Sequence, residues 1–144
     1  MDEVANQPIL LVEDNAVDVD LTRRAFARRR LAIPIEVARD GEEALAFMQR
    51  WEAGDPVSAV ILLDLKLPKV DGLEVLRQFK KHPRFSTIPM VMLTASGEER
   101  DVQRAYELGA NSYIVKPVDF ARFVEVAAQI QGYWCLLNHR CGEP

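Results

Sequence analysis

The chain has 144 residues, 28% of them charged and 49% hydrophobic, with a formal net charge of −4. That length fits one domain with a full core, and the acidic balance argues against a nucleic-acid binder, which would usually carry a basic face. No apolar stretch nears the ~20 residues needed to span a bilayer, and residues 1–7 lack a signal peptide's basic start and apolar core, so a cytoplasmic location is expected.

Ile9–Val12 is a short all-apolar run, the pattern of a strand buried on both faces, and it delivers Glu13 and Asp14 at its C-terminal end. A helical pattern follows over about Val17 to Arg30, with Leu21 and Ala25 on one face. Arg23, Arg24, Arg28, Arg29 and Arg30 give it a basic side, either a solvated face that complements the helix dipole or a docking surface. Ile35–Ala38 is the second strand. Asp40-Gly41-Glu42-Glu43 opens a second helix with an N-cap and an acidic first turn. Gly54-Asp55-Pro56 marks the loop before the third strand, Ala59–Leu63, which ends on Asp64. Asp71-Gly72 precedes a third helix carrying Leu73, Leu76 and Phe79, and Pro83 ends it. Met90–Leu93 is the fourth strand and ends on Thr94. Ser96-Gly97-Glu98-Glu99 has capping-box spacing before a fourth helix, which Gly109 closes. Ser112–Val115 is the fifth strand, followed by Lys116-Pro117. A fifth helix starts near Asp119 and carries Phe120, Phe123, Ala127 and Ile130. Strict alternation of strand and helix implies right-handed crossovers and a parallel sheet covered on both faces, an α/β fold.

In such a sheet, ligands bind at the carboxyl ends of the strands. Taken singly, Asp64 reads as a turn former, Lys116 as a surface lysine and Thr94 as a strand end. Taken together, Glu13, Asp14 and Asp64 form a set of like charges that wants a cation. Mg²⁺ fits, being hard, oxygen-liganded and retentive of its waters. Asp14 and Asp64 are expected to ligate directly, with the main-chain carbonyl of Lys66 as a third ligand and Glu13 acting through water. Asp nucleophiles accept phosphoryl groups, and that transfer needs charge neutralisation and positioning more than acid–base work. Lys116 would supply a point charge and Thr94 a hydroxyl to the phosphoryl oxygens. His82 and His139 have no metal-ligand spacing, and Cys135 and Cys141 read as reduced thiols.

The stretches Leu11-Val12-Glu13-Asp14-Asn15, Leu63-Asp64-Leu65-Lys66-Leu67-Pro68, Asp71-Gly72, Leu93-Thr94-Ala95 and Tyr113-Ile114-Val115-Lys116-Pro117 occur in a specific order and spacing. Over residues 8–131 the chain resembles the receiver domain of bacterial two-component response regulators. The resemblance implies a (βα)5 doubly wound parallel sheet with the flavodoxin-like strand order 2-1-3-4-5 known for this family. It implies that Asp64 takes a phosphoryl group from a phosphohistidine on a sensor histidine kinase. It further implies a Mg²⁺ pocket of Glu13, Asp14 and Asp64, and self-catalysed phosphorylation and dephosphorylation rather than a classical enzyme. Thr94 and Tyr113 would form the switch, remodelling the face built by the fourth helix, fifth strand and fifth helix. Tyr113 as a plain core aromatic is the alternative. The Lys116–Pro117 bond is often cis in the family.

Residues 1–7 are an N-terminal tail and residues 132–144 a C-terminal extension. Phe120, Ala127 and Trp134 recur every seven residues, as do Phe123, Ile130 and Leu137, so the fifth helix is expected to continue to about Leu137. The extension is too short for a further domain, so output is expected through a partner, an oligomer or onward phosphotransfer. Phe120, Tyr133, Trp134 and Leu137 are candidate interface residues; the other option is a last helix packed on its own domain. The ending Tyr133-Trp134-Cys135-Leu136-Leu137-Asn138 resembles that of single-domain response regulators paired with bacterial and cyanobacterial phytochromes. That likeness implies a homodimer and a bacteriophytochrome as one candidate kinase, with neither nucleic acid nor membrane as partner. Two further functions stay open: a phosphorylation-independent dimeric adaptor, and a phosphate sink.

Overall fold

Successive residues of a strand face opposite sides of a sheet, and here both sides are apolar. The computed structural model describes residues 7–28 and 33–141. Its elements are β1 (Ile9–Val12), α1 (Ala16–Ala27), β2 (Ile35–Ala38), α2 (Gly41–Glu52), β3 (Val60–Leu63), α3 (Gly72–Lys81), β4 (Met90–Thr94), α4 (Glu99–Glu107), β5 (Ser112–Val115) and α5 (Phe120–Ile130). The strands form one parallel sheet in the order β2-β1-β3-β4-β5, the expected doubly wound arrangement. Leu10, Val12, Ile61, Leu63, Met90 and Met92 pack under Phe47, Trp51, Leu76, Phe79 and Ala105 of α2, α3 and α4. Ile9, Leu11, Val60, Leu62, Val91 and Leu93 pack on the other face, against Val19 and Phe26 of α1 and Phe123, Ala127 and Ile130 of α5. Among the described residues, no helix is long and apolar enough to cross a membrane, and every peptide bond, Lys116–Pro117 included, is trans.

Helix starts follow local chemistry. The side chains of Asn15, Asp40, Asp71 and Asp119 each accept a backbone N–H from the first turn of α1, α2, α3 and α5. The fourth helix departs from expectation. Its cap is Glu98, which makes no side-chain capping bond, so Ser96 and Glu99 do not form a capping box. The Ser96 hydroxyl instead donates to Asp101 at 2.6 Å, and its carbonyl accepts the Tyr113 hydroxyl at 2.7 Å. Those bonds hold Ser96 outside the helix. The first helix ends at Ala27 rather than Arg30, and Arg29 and Arg30 lie outside the described residues.

The chain stays helical to Leu137, as the seven-residue spacing predicts, but Gln131–Leu137 is π-helix. Its wider i→i+5 ring breaks the seven-residue stripe. Cys135 becomes the buried residue, while Tyr133 and Leu137 are exposed and Trp134 half-packs on the α1–α5 side. Arg140 folds back and donates to the carbonyls of Trp134 and Cys135, both at 3.2 Å, closing the end of this helix. Burial pushes the Cys135 thiol up to about 11, and Cys141 is exposed; both cysteines are free.

Two glycines decide how the loop after β3 sits. A Cβ on Gly72 would lie 2.1 Å from the Asp64 carbonyl oxygen, and one on Gly41 would lie 2.0 Å from the Val70 carbonyl oxygen. The Gly72 N–H donates to Leu65 at 2.8 Å and the Gly41 N–H to Pro68 at 3.3 Å. Within this loop Lys69 takes a left-handed φ of 69°, a conformation rare for a side chain with a Cβ. Gly72→Ala is therefore expected to destabilise the domain by about 1–3 kcal/mol or more in urea unfolding. Gly132→Ala, whose Cβ would meet nothing within 4 Å, is expected to leave stability unchanged or raise it by up to about 1 kcal/mol.

Candidate functional site

The strand order reverses at β1, whose two neighbours are β2 and β3, so a crevice opens where β1 and β3 end. Glu13 and Asp14 leave the end of β1, and Asp64 leaves the end of β3. The Glu13 N–H donates to the Ala38 carbonyl at 3.0 Å and the Asp64 N–H to the Val12 carbonyl at 3.1 Å, extending the ladder by one residue on each side. The three carboxylates each place an oxygen within 4.8 Å of the others. Glu13 is buried at 2% exposure, Asp64 is partly buried and Asp14 is exposed, so the cluster runs from the interior to the surface.

Lys116 reaches this cluster from the end of β5. Its backbone N–H donates to the Thr94 carbonyl at 2.8 Å, and its ammonium hydrogen-bonds the Glu13 carboxylate. The same ammonium lies 3.4 Å from Asp18 and 3.9 Å from Asp64. Burial pulls the Lys116 ammonium down, but the hydrogen bond and charge of Glu13, with Asp64 and Asp18 behind it, outweigh burial and leave it above its ordinary value. Burial pushes the Glu13 carboxyl up, and the Lys116 bond pulls against that without cancelling it. One ammonium thus serves an excess of acids.

That excess fits a small hard cation. Three carboxylates with oxygens within 4.8 Å of one another offer the hard oxygen donors that Mg²⁺ prefers. Both Glu13 carboxylate oxygens already have protein partners: Lys116 on one, and the Asn15 N–H at 3.2 Å on the other. Asp64 accepts the Leu65 N–H at 2.8 Å. Lys66 follows in the same loop with an exposed side chain.

Thr94 is the last residue of β4 and is buried; its hydroxyl accepts the Ser96 N–H at 3.5 Å. Tyr113 is half-buried and lies inward over the loop after β4, where it holds Ser96. The structure therefore joins Glu13, Asp14, Asp64 and Lys116 in one cluster, with Thr94 and Tyr113 linked through Ser96. The other named residues sit elsewhere. Phe120, at the start of α5, is half-buried under the Arg28 guanidinium, 5.6 Å from its ring centre. Tyr133 and Trp134 lie beyond α5, where they line a groove of about 360 Å³ with Ser112, Ile114, Val126 and Ile130. On α1, Arg24 pairs with Asp20 at 3.0 Å in an exposed position. The sequence reading missed Asp18, Gly41 and Gly72 as parts of the site. A signal for Asp18 was available, since it lies in the first turn of α1, four residues after Asp14 and at the end of the helix next to the strand ends.

The model of the response regulator receiver domain family matches residues 9–128. A probable methanogenesis regulatory protein, FilR2 of Methanothrix harundinacea, is 43% identical over 93% of this chain and 87% of its own. The response regulator Rcp1 of Synechocystis is 37% identical over 93% of this chain and 94% of its own, and one solved structure of Rcp1 is a Mn²⁺-bound form. The phosphorylated cyanobacterial phytochrome response regulator RcpA superposes with a TM-score of 0.87 at 34% identity, covering 95% of this chain and 99% of its own. The bacteriophytochrome response regulator AtBRR is 50% identical with a TM-score of 0.73, covering 93% and 99%. With the strand order, the acid cluster and its lysine all in place, this chain belongs to the response regulator receiver family.

Proposed function

We propose that the protein is a phosphorylation-driven switch of a two-component relay, in which Asp64 accepts a phosphoryl group from a sensor histidine kinase. The observation that carries this reading is the convergence of Glu13, Asp14 and Asp64 on one point, with Lys116 beside them. Asp14, Asp64 and the main-chain carbonyl of Lys66 would hold Mg²⁺, with Glu13 in its water shell because both Glu13 oxygens are engaged. When bound, Mg²⁺ would supply positive charge to the phosphoryl oxygens. The chain's own work is positional. The backbone around Gly72 aims Asp64, Lys116 offers its ammonium to the phosphoryl group, and the buried Thr94 hydroxyl is available to another phosphoryl oxygen. Tyr113 grips the carbonyl of Ser96, two residues past Thr94, so a shift of Thr94 would be felt at the edge strand β5.

A bacteriophytochrome is the kinase we favour, supported by the likeness to RcpA and AtBRR. AtBRR, at 50% identity, exceeds the methanogenesis regulator at 43%, so sequence as well as structure supports a phytochrome as the input. The exposed Tyr133 and Leu137 and the groove beside Trp134 support self-association through the face built by α4, β5 and α5 and its extension. A cytoplasmic setting suits such a relay.

Incubation with acetyl phosphate and Mg²⁺ is expected to give one hydroxylamine-sensitive phosphoryl group per chain, lost in EDTA and in Asp64→Asn. Asp71→Asn should label normally, because Asn caps α3 as Asp71 does. A wild-type protein that never labels would leave the phosphorylation-independent adaptor as the better account. For self-association, Tyr133→Ala is expected to raise the dimer dissociation constant about tenfold in sedimentation, the weight of one aromatic anchor. An unchanged constant would mean that the extension serves its own domain.

A further inference from the structure

Asp18 is an acid in the first turn of α1, where the helix dipole alone would justify one. Asp20, two residues on, behaves as a plain helix acid and pairs with Arg24 one turn away. Asp18 does something else. Its backbone is held twice, the N–H on the Asn15 side chain at 3.1 Å and the carbonyl by the Thr22 hydroxyl at 2.7 Å. From that fixed base its carboxylate reaches Lys116, 98 positions away in the chain, at 3.4 Å. Lys116 therefore sits between Glu13 and Asp18, and its distance to Asp64, 3.9 Å, is the longest of the three.

We propose that Asp18 is a positioning residue that holds the Lys116 ammonium away from Asp64 and competes with the incoming phosphoryl group for it, so setting how readily the site is loaded. This rests on the phosphoacceptor reading above. In the step concerned, an Asp64 carboxylate oxygen forms a bond to phosphorus as the bond from phosphorus to the acyl oxygen of acetyl phosphate breaks. Acetate leaves with the electron pair and no proton moves. The dianionic phosphoryl group needs Lys116, and it meets an ammonium already shared with Asp18. The side chain of Lys116 is 11% exposed and that of Asp18 is 41% exposed, so solvent reaches the Asp18 end of the pair. The competition is accordingly modest and sensitive to salt.

The test compares wild type, Asp18→Asn, Asp18→Glu and the charge-matched control Asp20→Asn, labelled with acetyl phosphate and Mg²⁺ at roughly 0.05 M and 0.5 M salt. Asp18→Asn is expected to label about two- to fivefold faster at low salt, with the gain shrinking at high salt. Asp18→Glu should stay near wild type. A second readout needs neither metal nor donor. The ¹⁵N signal of the Lys116 ammonium, assigned by its loss in Lys116→Met, should shift in Asp18→Asn and not in Asp20→Asn. An Asp18→Asn protein that labels at the wild-type rate overturns the proposal, as does an equal gain in Asp20→Asn, or a folded Asp18→Asn that fails to label. If wild type itself is never labelled, the phosphoacceptor reading has failed and this inference falls with it, an outcome separable from the others because it appears before any variant is compared.

Discussion

Lys116 leaves the edge strand β5 and binds a buried glutamate that follows β1, with β3 and β4 lying between those strands in the sheet. This pair ties the ends of β1 and β5 together and fixes the charge of the crevice. Glu13 is too buried to stand ionised without a partner, since removing one member of a buried pair leaves an uncompensated charge. Yet the partner is shared: Asp18 and Asp64 also draw on the same ammonium. The crevice is therefore left short of positive charge. That shortage suits it to bind a divalent cation and, with the cation in place, to receive a phosphoryl dianion.

Geometry is set by backbone as much as by charge. Gly72 and Gly41 let the loop after β3 lie against the starts of two helices, at separations no side chain would permit. Asp64 is the first residue of that loop, so its aim depends on atoms that carry no charge. The loop after β4 is fixed differently, by the hydroxyl and the carbonyl of Ser96. One loop is wedged against two helix starts, and the other is fastened through the hydrogen bonds of Ser96.

Much of this was legible in the chain. Runs such as Val60–Leu63 announce strands buried on both faces, and acids at their C-terminal ends announce a site, because strand length and direction are local properties. Glu13, Asp14, Asp64 and Lys116 could be named in advance for that reason. Gly41 and Gly72 could be read only as helix openers, since the atoms they make room for come from a distant loop. The capping-box spacing of Ser96 and Glu99 misled because Tyr113 and Asp101 compete for the same serine. The seven-residue stripe foresaw a continuing helix but not its π geometry, which follows no simple side-chain period. Asp18 was missed because a first-turn acid already has a sufficient local explanation.

The groove flanked by Tyr133 and Trp134 opens beside Ser112, at the opposite end of β5 from Lys116. Helix α5 joins the two regions with 11 residues, about 16 Å of continuous backbone. Its inner side rests on Phe123, Ala127 and Ile130, with no glycine or proline along its length to absorb bending. A rod of this kind transmits tilt rather than damping it. The crevice and the groove are thus spaced along one straight length of helix, with Gly132 as the first glycine after it.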